Sequence, residues 1–147
     1  MKSKRVRVMK IGVMAPGDMR ARSIAIAKGE YKPKSGEPKV WFPSLASAAQ
    51  LLSDENRAML RAIAEAQPQS IAEAAEVVKR SPGNLSRTLS KMERYGIVRL
   101  IRSDQERPGR KPVKPVVQAT DFEISTFSPG HITAAQSKNK HETVSHC

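Results

Sequence analysis

Residues 84–94 carry the side chains of this sequence that are best suited to binding chemistry. Asn84, Arg87, Lys91 and Arg94 recur at i, i+3, i+7 and i+10, with Ser86 and Ser90 beside them. A helix would place these side chains on one face. Asparagine forms paired hydrogen bonds with adenine, and arginine does so with guanine. The pattern therefore predicts a nucleic-acid-binding face, with Ser81, Asn84, Ser86, Arg87 and Lys91 as candidate contacts.

The element that must position these side chains is a helix over residues 81–95. Ser81 is a good N-cap, and Pro82 suits the first helical position, where no amide donor is needed. The amides at such a helix start can also meet a phosphate. An apolar stripe of Leu85, Leu89 and Met92 would bury the opposite side of the helix, and Gly96 would end it.

Two shorter amphipathic helices precede this one, and a hairpin follows it. Ser53 is expected to cap the first helix, and the Ser70–Glu73 pair predicts a capping box at the second. Residues 97–102 and 114–119 read as strands around the turn 103–113, whose basic residues are Arg107, Arg110 and Lys111. This order predicts a mainly α fold with a small β wing (α+β), namely a winged helix-turn-helix over residues 44–127. The wing residues are expected to reach the adjacent minor groove or backbone.

The N-terminal part, residues 1–43, predicts a strand over 5–13, a helix over 16–28 and an exposed connector over 31–39. We expect this strand-helix segment to form a dimerisation or partner surface. Its candidate apolar residues are Val8, Ile11, Trp41 and Phe42. The polar stretch 128–147 is expected to be a disordered tail.

The charge points to a polyanionic partner. The chain carries a net charge of +12, and the excess lies in residues 1–40, with 11 basic and 3 acidic groups, and residues 81–118, with 9 and 3. Cys147 is the sole cysteine, which agrees with a reducing cytoplasm and leaves no cysteine-based zinc site. We expect no metal, no cofactor and no membrane span. The predicted location is cytoplasmic, on the nucleoid.

The stretch ENRAMLRAIAEAQPQSIAEAAEVVKRSPGNLSRTLSKMERYGIVRL, residues 55–100, resembles the winged helix-turn-helix of MarR-like and ArsR-like bacterial regulators. The wider chain is similar to a small prokaryotic family of predicted transcriptional regulators. The resemblance implies a DNA-binding regulator with contacts at Asn84, Ser86, Arg87 and Lys91, often encoded beside a toxin and then called an antitoxin. The leading hypothesis is a homodimeric repressor, which binds double-stranded DNA and regulates transcription.

Three alternatives stay open at this point. The chain could be an antitoxin that neutralises a cognate toxin protein, with DNA binding as autoregulation. A general RNA-binding role is less favoured, because stacking platforms are expected there and residues 53–119 contain one aromatic side chain, Tyr95. An enzyme is least favoured, because no phosphate loop, serine–histidine–acid order or metal-ligand spacing appears in the sequence.

Overall fold

A computed structural model describes residues 7–102 and 112–127, which contain five helices and five strands. In chain order they are β1 (Val8–Val13), α1 (Pro16–Ala27), β2 (Val40–Phe42), α2 (Leu45–Leu51), α3 (Asp54–Ala66), α4 (Ile71–Val78), α5 (Pro82–Arg94), β3 (Val98–Arg102), β4 (Val113–Val117) and β5 (Asp121–Thr126). The strands form two small sheets. The predicted α+β class is therefore confirmed. The predicted tail, 128–147, lies outside the described residues.

The described chain divides into two compact units. The first unit contains residues 7–9, 49–102 and 112–123, and the second contains 10–48 and 124–127. The sequence predicted a boundary after residue 43. The structure places this boundary later, inside α2, so that the second unit includes Ala48, whose side chain is fully buried. It also assigns the end of β5 to that unit, which no local sequence pattern indicated.

In the second unit, β1 and β2 pair in parallel, with Ile11 opposite Val40 and Val13 opposite Phe42. Parallel neighbours need a long crossover, and α1 with the connector after it supplies one. The sequence predicted β1 and α1 but gave no strand at β2, whose three residues are too few to show an alternation. The sheet has the order β2-β1-β5, and its most buried apolar side chains are those of Ile11 and Phe42, next to the equally buried Met14 that directly follows β1.

A glycine lets the Trp41 ring lie against the main chain of β1. Gly12 is opposite Trp41 in the β1–β2 register, and a Cβ built on Gly12 would lie 2.9 Å from Trp41 Cη2 and closer still to two other ring atoms. The ring also packs 5.1 Å from Phe127, centroid to centroid. Glycine inside a strand often marks such a close approach.

In the first unit, each of α3, α4 and α5 begins at a serine, as predicted. The hydroxyl oxygens of Ser53, Ser70 and Ser81 accept hydrogen bonds from the amides of Asn56, Glu73 and Asn84 at 3.2, 3.0 and 3.2 Å. Of the two hydrogen bonds predicted for the capping box at α4, the second has a different donor. The carboxylate of Glu73 accepts from the amide of Gln69 at 3.1 Å, one residue before the cap, instead of from Ser70.

The core of the first unit is formed by the apolar stripes of its helices and the start of the hairpin. Leu60, Ile63, Ala74, Leu85, Leu89, Met92, Ile97 and Val98 are each at most 1% exposed. Gly96 has a φ of 73°, which ends α5 and turns the chain into β3. Strands β3 and β4 pair antiparallel, with Leu100 opposite the buried Pro115. In the described chain, none of the helices has the length and apolarity needed to cross a membrane.

Candidate nucleic-acid interface

Helix α5 has two faces of opposite character. Leu85, Leu89 and Met92 are completely buried. Asn84, Ser86, Arg87, Ser90, Lys91 and Arg94 are all exposed, and they line a shallow depression together with the half-buried Thr88. The structure thus brings together four of the five predicted helix residues. We call this set of seven residues the α5 face.

The α5 face contains no carboxylate. The only acidic residue of α5 is Glu93, and its side chain turns toward β3, where it accepts a hydrogen bond from the amide of Leu100 at 3.2 Å. Arg87, Lys91 and Arg94 are therefore not neutralised by an acid on their own helix. Unpaired cations on an exposed helix create a positive potential that attracts a polyanion.

Ser81, the fifth predicted residue, caps α5, as the sequence also predicted. Its hydroxyl oxygen accepts from the amide of Asn84 and so completes the N-cap. A serine in this position fixes where α5 begins, and therefore where the α5 face points, because each side chain's direction follows from its distance along the helix. Ser81 is thus a positioning residue for Asn84 and Arg87.

Thr88 belongs to the α5 face but was not predicted. Its hydroxyl donates to the carbonyl of Asn84 at 3.1 Å. Threonine commonly satisfies its hydroxyl on the preceding helical turn in this way. The i+4 spacing from Asn84 was the available signal, but it carried little weight, since the same spacing also fits a half-buried helix residue.

Three of the predicted contacts belong to the predicted wing. Arg107, Arg110 and Lys111 lie outside the described residues. The two strands that carry the turn are described, and they expose Arg99 and Arg102 on β3, while Lys114 on β4 is half-buried. The described part of the hairpin therefore exposes basic side chains on β3.

The predicted dimer surface is wrong for two of its four residues. Ile11 is 0% exposed and Phe42 is 1% exposed, because both side chains are held inside the core of the second unit. Trp41 is half-buried against Gly12 and Phe127. Val8, which belongs to the first unit, is 54% exposed. Apolar type alone could not distinguish a core position from a surface one in strands this short.

A second charged cluster lies in the second unit and links the connector that follows α1 to α1 itself. The guanidinium of Arg22 lies 3.2 Å from a carboxylate oxygen of Glu37 and 4.9 Å from the centroid of the Trp41 ring. The Tyr31 hydroxyl donates to the other oxygen of Glu37. Burial by itself would raise the pKa of Glu37, but the hydrogen bonds from Tyr31 and Arg22 outweigh it and lower that pKa. This cluster is a clamp within the fold.

We expect the contribution of this clamp to the free energy of unfolding to fall at alkaline pH. Burial, followed by the hydrogen bond to Glu37, raises the pKa of Tyr31 to about 12. A group whose folded pKa is raised contributes stability below its unfolded pKa, near 10 for tyrosine, and loses it as the pH rises toward the folded value. We expect the free energy of unfolding of the wild type to approach that of Tyr31→Phe between about pH 10 and 12. Urea titrations of both proteins across this range measure it, and parallel curves would contradict the assignment.

Comparison with known proteins adds one result. No curated protein matches the chain. The family model HVO_A0114 matches residues 51–124, just over half of the 147 residues. The matched range runs from the last residue of α2 into β5 and so includes the whole of α5. The chain therefore belongs to the HVO_A0114 family.

Proposed function

We propose that this protein is a sequence-specific, double-stranded DNA-binding regulator of transcription. The chain order of three helices (α3, α4, α5) followed by the β3–β4 hairpin supports this proposal, because a winged helix-turn-helix has the same order, with its last helix in the major groove and its hairpin as the wing. In this proposal α5 is the recognition helix, and the turn 103–113 reaches the adjacent minor groove or backbone. The sequence of residues 55–100, which resembles that of MarR-like and ArsR-like regulators, favours the same interpretation.

The single observation that carries the proposal is the division of α5 into a fully buried stripe and the acid-free α5 face. The major groove is wide enough for one helix, so a reading helix must anchor one side in its own domain and present the other to the bases. Asn84 and Arg87 have the side chains that pair with adenine and guanine. Lys91 and Arg94, one to two turns later, suit phosphate contacts, which position the helix without reading sequence.

A homodimer on an inverted repeat is part of the proposal. One recognition helix contacts only a few base pairs, and a two-fold dimer doubles the contacts with half-sites about 10 bp apart. Sedimentation equilibrium between low and high micromolar concentrations tests this part. A species that stays monomeric with DNA present would remove the dimer from the proposal and leave the helix assignment untouched.

Fluorescence anisotropy with two labelled duplexes tests the DNA-binding proposal. One duplex comes from immediately upstream of the protein's own coding sequence, and the other is a scrambled duplex of the same length and composition. We expect the upstream duplex to bind more tightly and to keep its advantage as salt is raised. Phosphate contacts weaken as salt is raised, whatever the DNA sequence. Equal affinity for the two duplexes that falls in parallel with rising salt would therefore contradict sequence-specific recognition.

Two single substitutions separate base reading from phosphate binding. Arg87→Ala is expected to cost about 1–3 kcal/mol of binding free energy on the preferred duplex, and less on the scrambled one. Lys91→Ala is expected to weaken both duplexes alike and to reduce the salt slope by about one. Anisotropy titrations at three salt concentrations give both quantities. Equal losses on the two duplexes for Arg87→Ala would overturn the base-contact role of Arg87.

A further inference from the structure

The first unit contains a cavity of about 750 Å³ that is widely open to solvent and separate from the α5 face. Its walls come from the second half of α3, the β3–β4 hairpin, the segment 118–121 that follows β4, and Arg7. A volume in this range is typical of pockets for small molecules. None of the seven residues of the α5 face lines it.

The lining combines exposed basic side chains with less exposed apolar ones. The basic side chains are Arg7, Arg61 and Arg99, and the apolar ones include Ala64, Val116 and Ala119. Arg99 lies directly opposite Val116 in the β3–β4 register, so their side chains share one face of the hairpin. The cavity therefore places a guanidinium next to an apolar surface, an arrangement that suits a molecule with one charged end and one apolar end.

Main-chain hydrogen bonds join the walls to one another. The carbonyl of Arg7 accepts from the amides of Thr120 and Asp121 at 3.2 and 3.4 Å. The amide of Gln118 donates to the carbonyl of Ile97, just before β3, at 2.8 Å. These bonds hold the segment 118–121 in place on both sides. The cavity is thus formed before any ligand arrives, which lowers the entropy cost of binding.

The charges of the lining favour a monoanion. Three arginines face two carboxylates, Glu65 and Asp121, which leaves a net charge of +1. Asp121 is already paired with Arg61 at 3.0 Å. Among the described residues, no carboxylate forms an ion pair with Arg7 or Arg99. Arg7 and Arg99 are therefore the lining arginines that have no acidic partner among the described residues, while Glu65 would repel a ligand with several negative charges.

We propose that this cavity binds a small organic monocarboxylate with an apolar body. The carboxylate would pair with Arg99 and Arg7, and the apolar body would lie on Val116, Ala64 and Ala119. The inference does not depend on whether the chain binds DNA, since it uses none of the residues of the α5 face.

The test uses three probes on the full ¹⁵N-labelled chain, followed by two-dimensional amide NMR. Phenylacetate carries both features of the proposed ligand, phenylacetamide keeps the apolar body without the charge, and inorganic phosphate keeps negative charge without the apolar body. We expect phenylacetate alone to give saturable shifts, concentrated in residues 97–99 and 116–121. No saturation below about 10 mM phenylacetate would overturn the proposal, because even weak fragments bind pockets in that range.

Two variants with the same change of charge assign the site. Arg99→Gln is expected to weaken phenylacetate binding about tenfold, the usual scale for one charge-assisted hydrogen bond. Arg20→Gln, at an exposed position of α1 in the second unit, should leave the affinity unchanged. Equal weakening in both variants, or none in Arg99→Gln, would overturn the assignment. Saturation by phenylacetamide or by phosphate with the affinity of phenylacetate would overturn the proposed ligand chemistry.

Discussion

Replacing Arg87 and Lys91 together by glutamate is expected to lower the affinity for any duplex by about 100-fold or more. Each residue contributes a contact worth roughly 1–3 kcal/mol in the proposed complex, and every 1.4 kcal/mol is a factor of ten. Reversal also adds repulsion between glutamate and phosphate. Both side chains are exposed, so neither change disturbs the buried stripe of α5.

The matched control reverses two basic residues elsewhere. Arg20→Glu with Lys28→Glu changes the net charge by the same amount, at exposed positions of the second unit. If DNA binding depended only on the overall charge, both double variants would lose affinity equally, which would contradict a specific role for the α5 face. Anisotropy titrations at one fixed salt concentration decide between these outcomes, and circular dichroism checks that both variants retain their helices.

Gly12→Ala is expected to destabilise the second unit by about 3 kcal/mol, the upper end of the usual cost of overpacking. A methyl group on Gly12 would overlap three atoms of the Trp41 ring. The ring cannot move away freely, because it also packs against Phe127 and under the guanidinium of Arg22. Urea unfolding followed by far-UV circular dichroism measures the change.

Two further variants show whether the ring is the cause. Gly17→Ala, where an added Cβ meets nothing within 4 Å, should change stability by less than about 1 kcal/mol. In a Trp41→Ala background, the additional cost of Gly12→Ala should disappear, since the two residues would no longer be coupled. A cost of Gly12→Ala that persists without the ring would instead indicate a main-chain effect.

The helices of the first unit could be predicted because their signals are local. Ser53, Ser70 and Ser81 each stand directly before an apolar repeat, and each caps a helix in the structure. The positions of Asn84, Arg87 and Lys91 on one exposed face then followed from the helical repeat. The strand β2 escaped prediction, because its place in the sheet depends on pairing with β1, which lies far away in sequence.

The cavity beside β3 could not be predicted for a similar reason. Arg7, Arg61 and Arg99 come from three separate parts of the chain, and no spacing connects them. Their types suggested only a general basic character. For Ile11 and Phe42 the prediction itself was wrong. Both apolar side chains were predicted to lie on a surface, but the parallel pairing of β1 and β2 buries them. The missing information was thus which distant segments of the chain pair with one another, since local sequence patterns do not show this.

The strand order β2-β1-β5 also has a consequence for how the chain is made. During synthesis β1 and β2 leave the ribosome before β5, which emerges only after the five described helices and both strands of the hairpin. Until then, one edge of β1 lacks its partner. Contacts between distant parts of a chain form slowly. The second unit is therefore completed last, although it contains most of the earliest residues, and a nascent chain stopped before Asp121 would expose an open strand edge that invites aggregation.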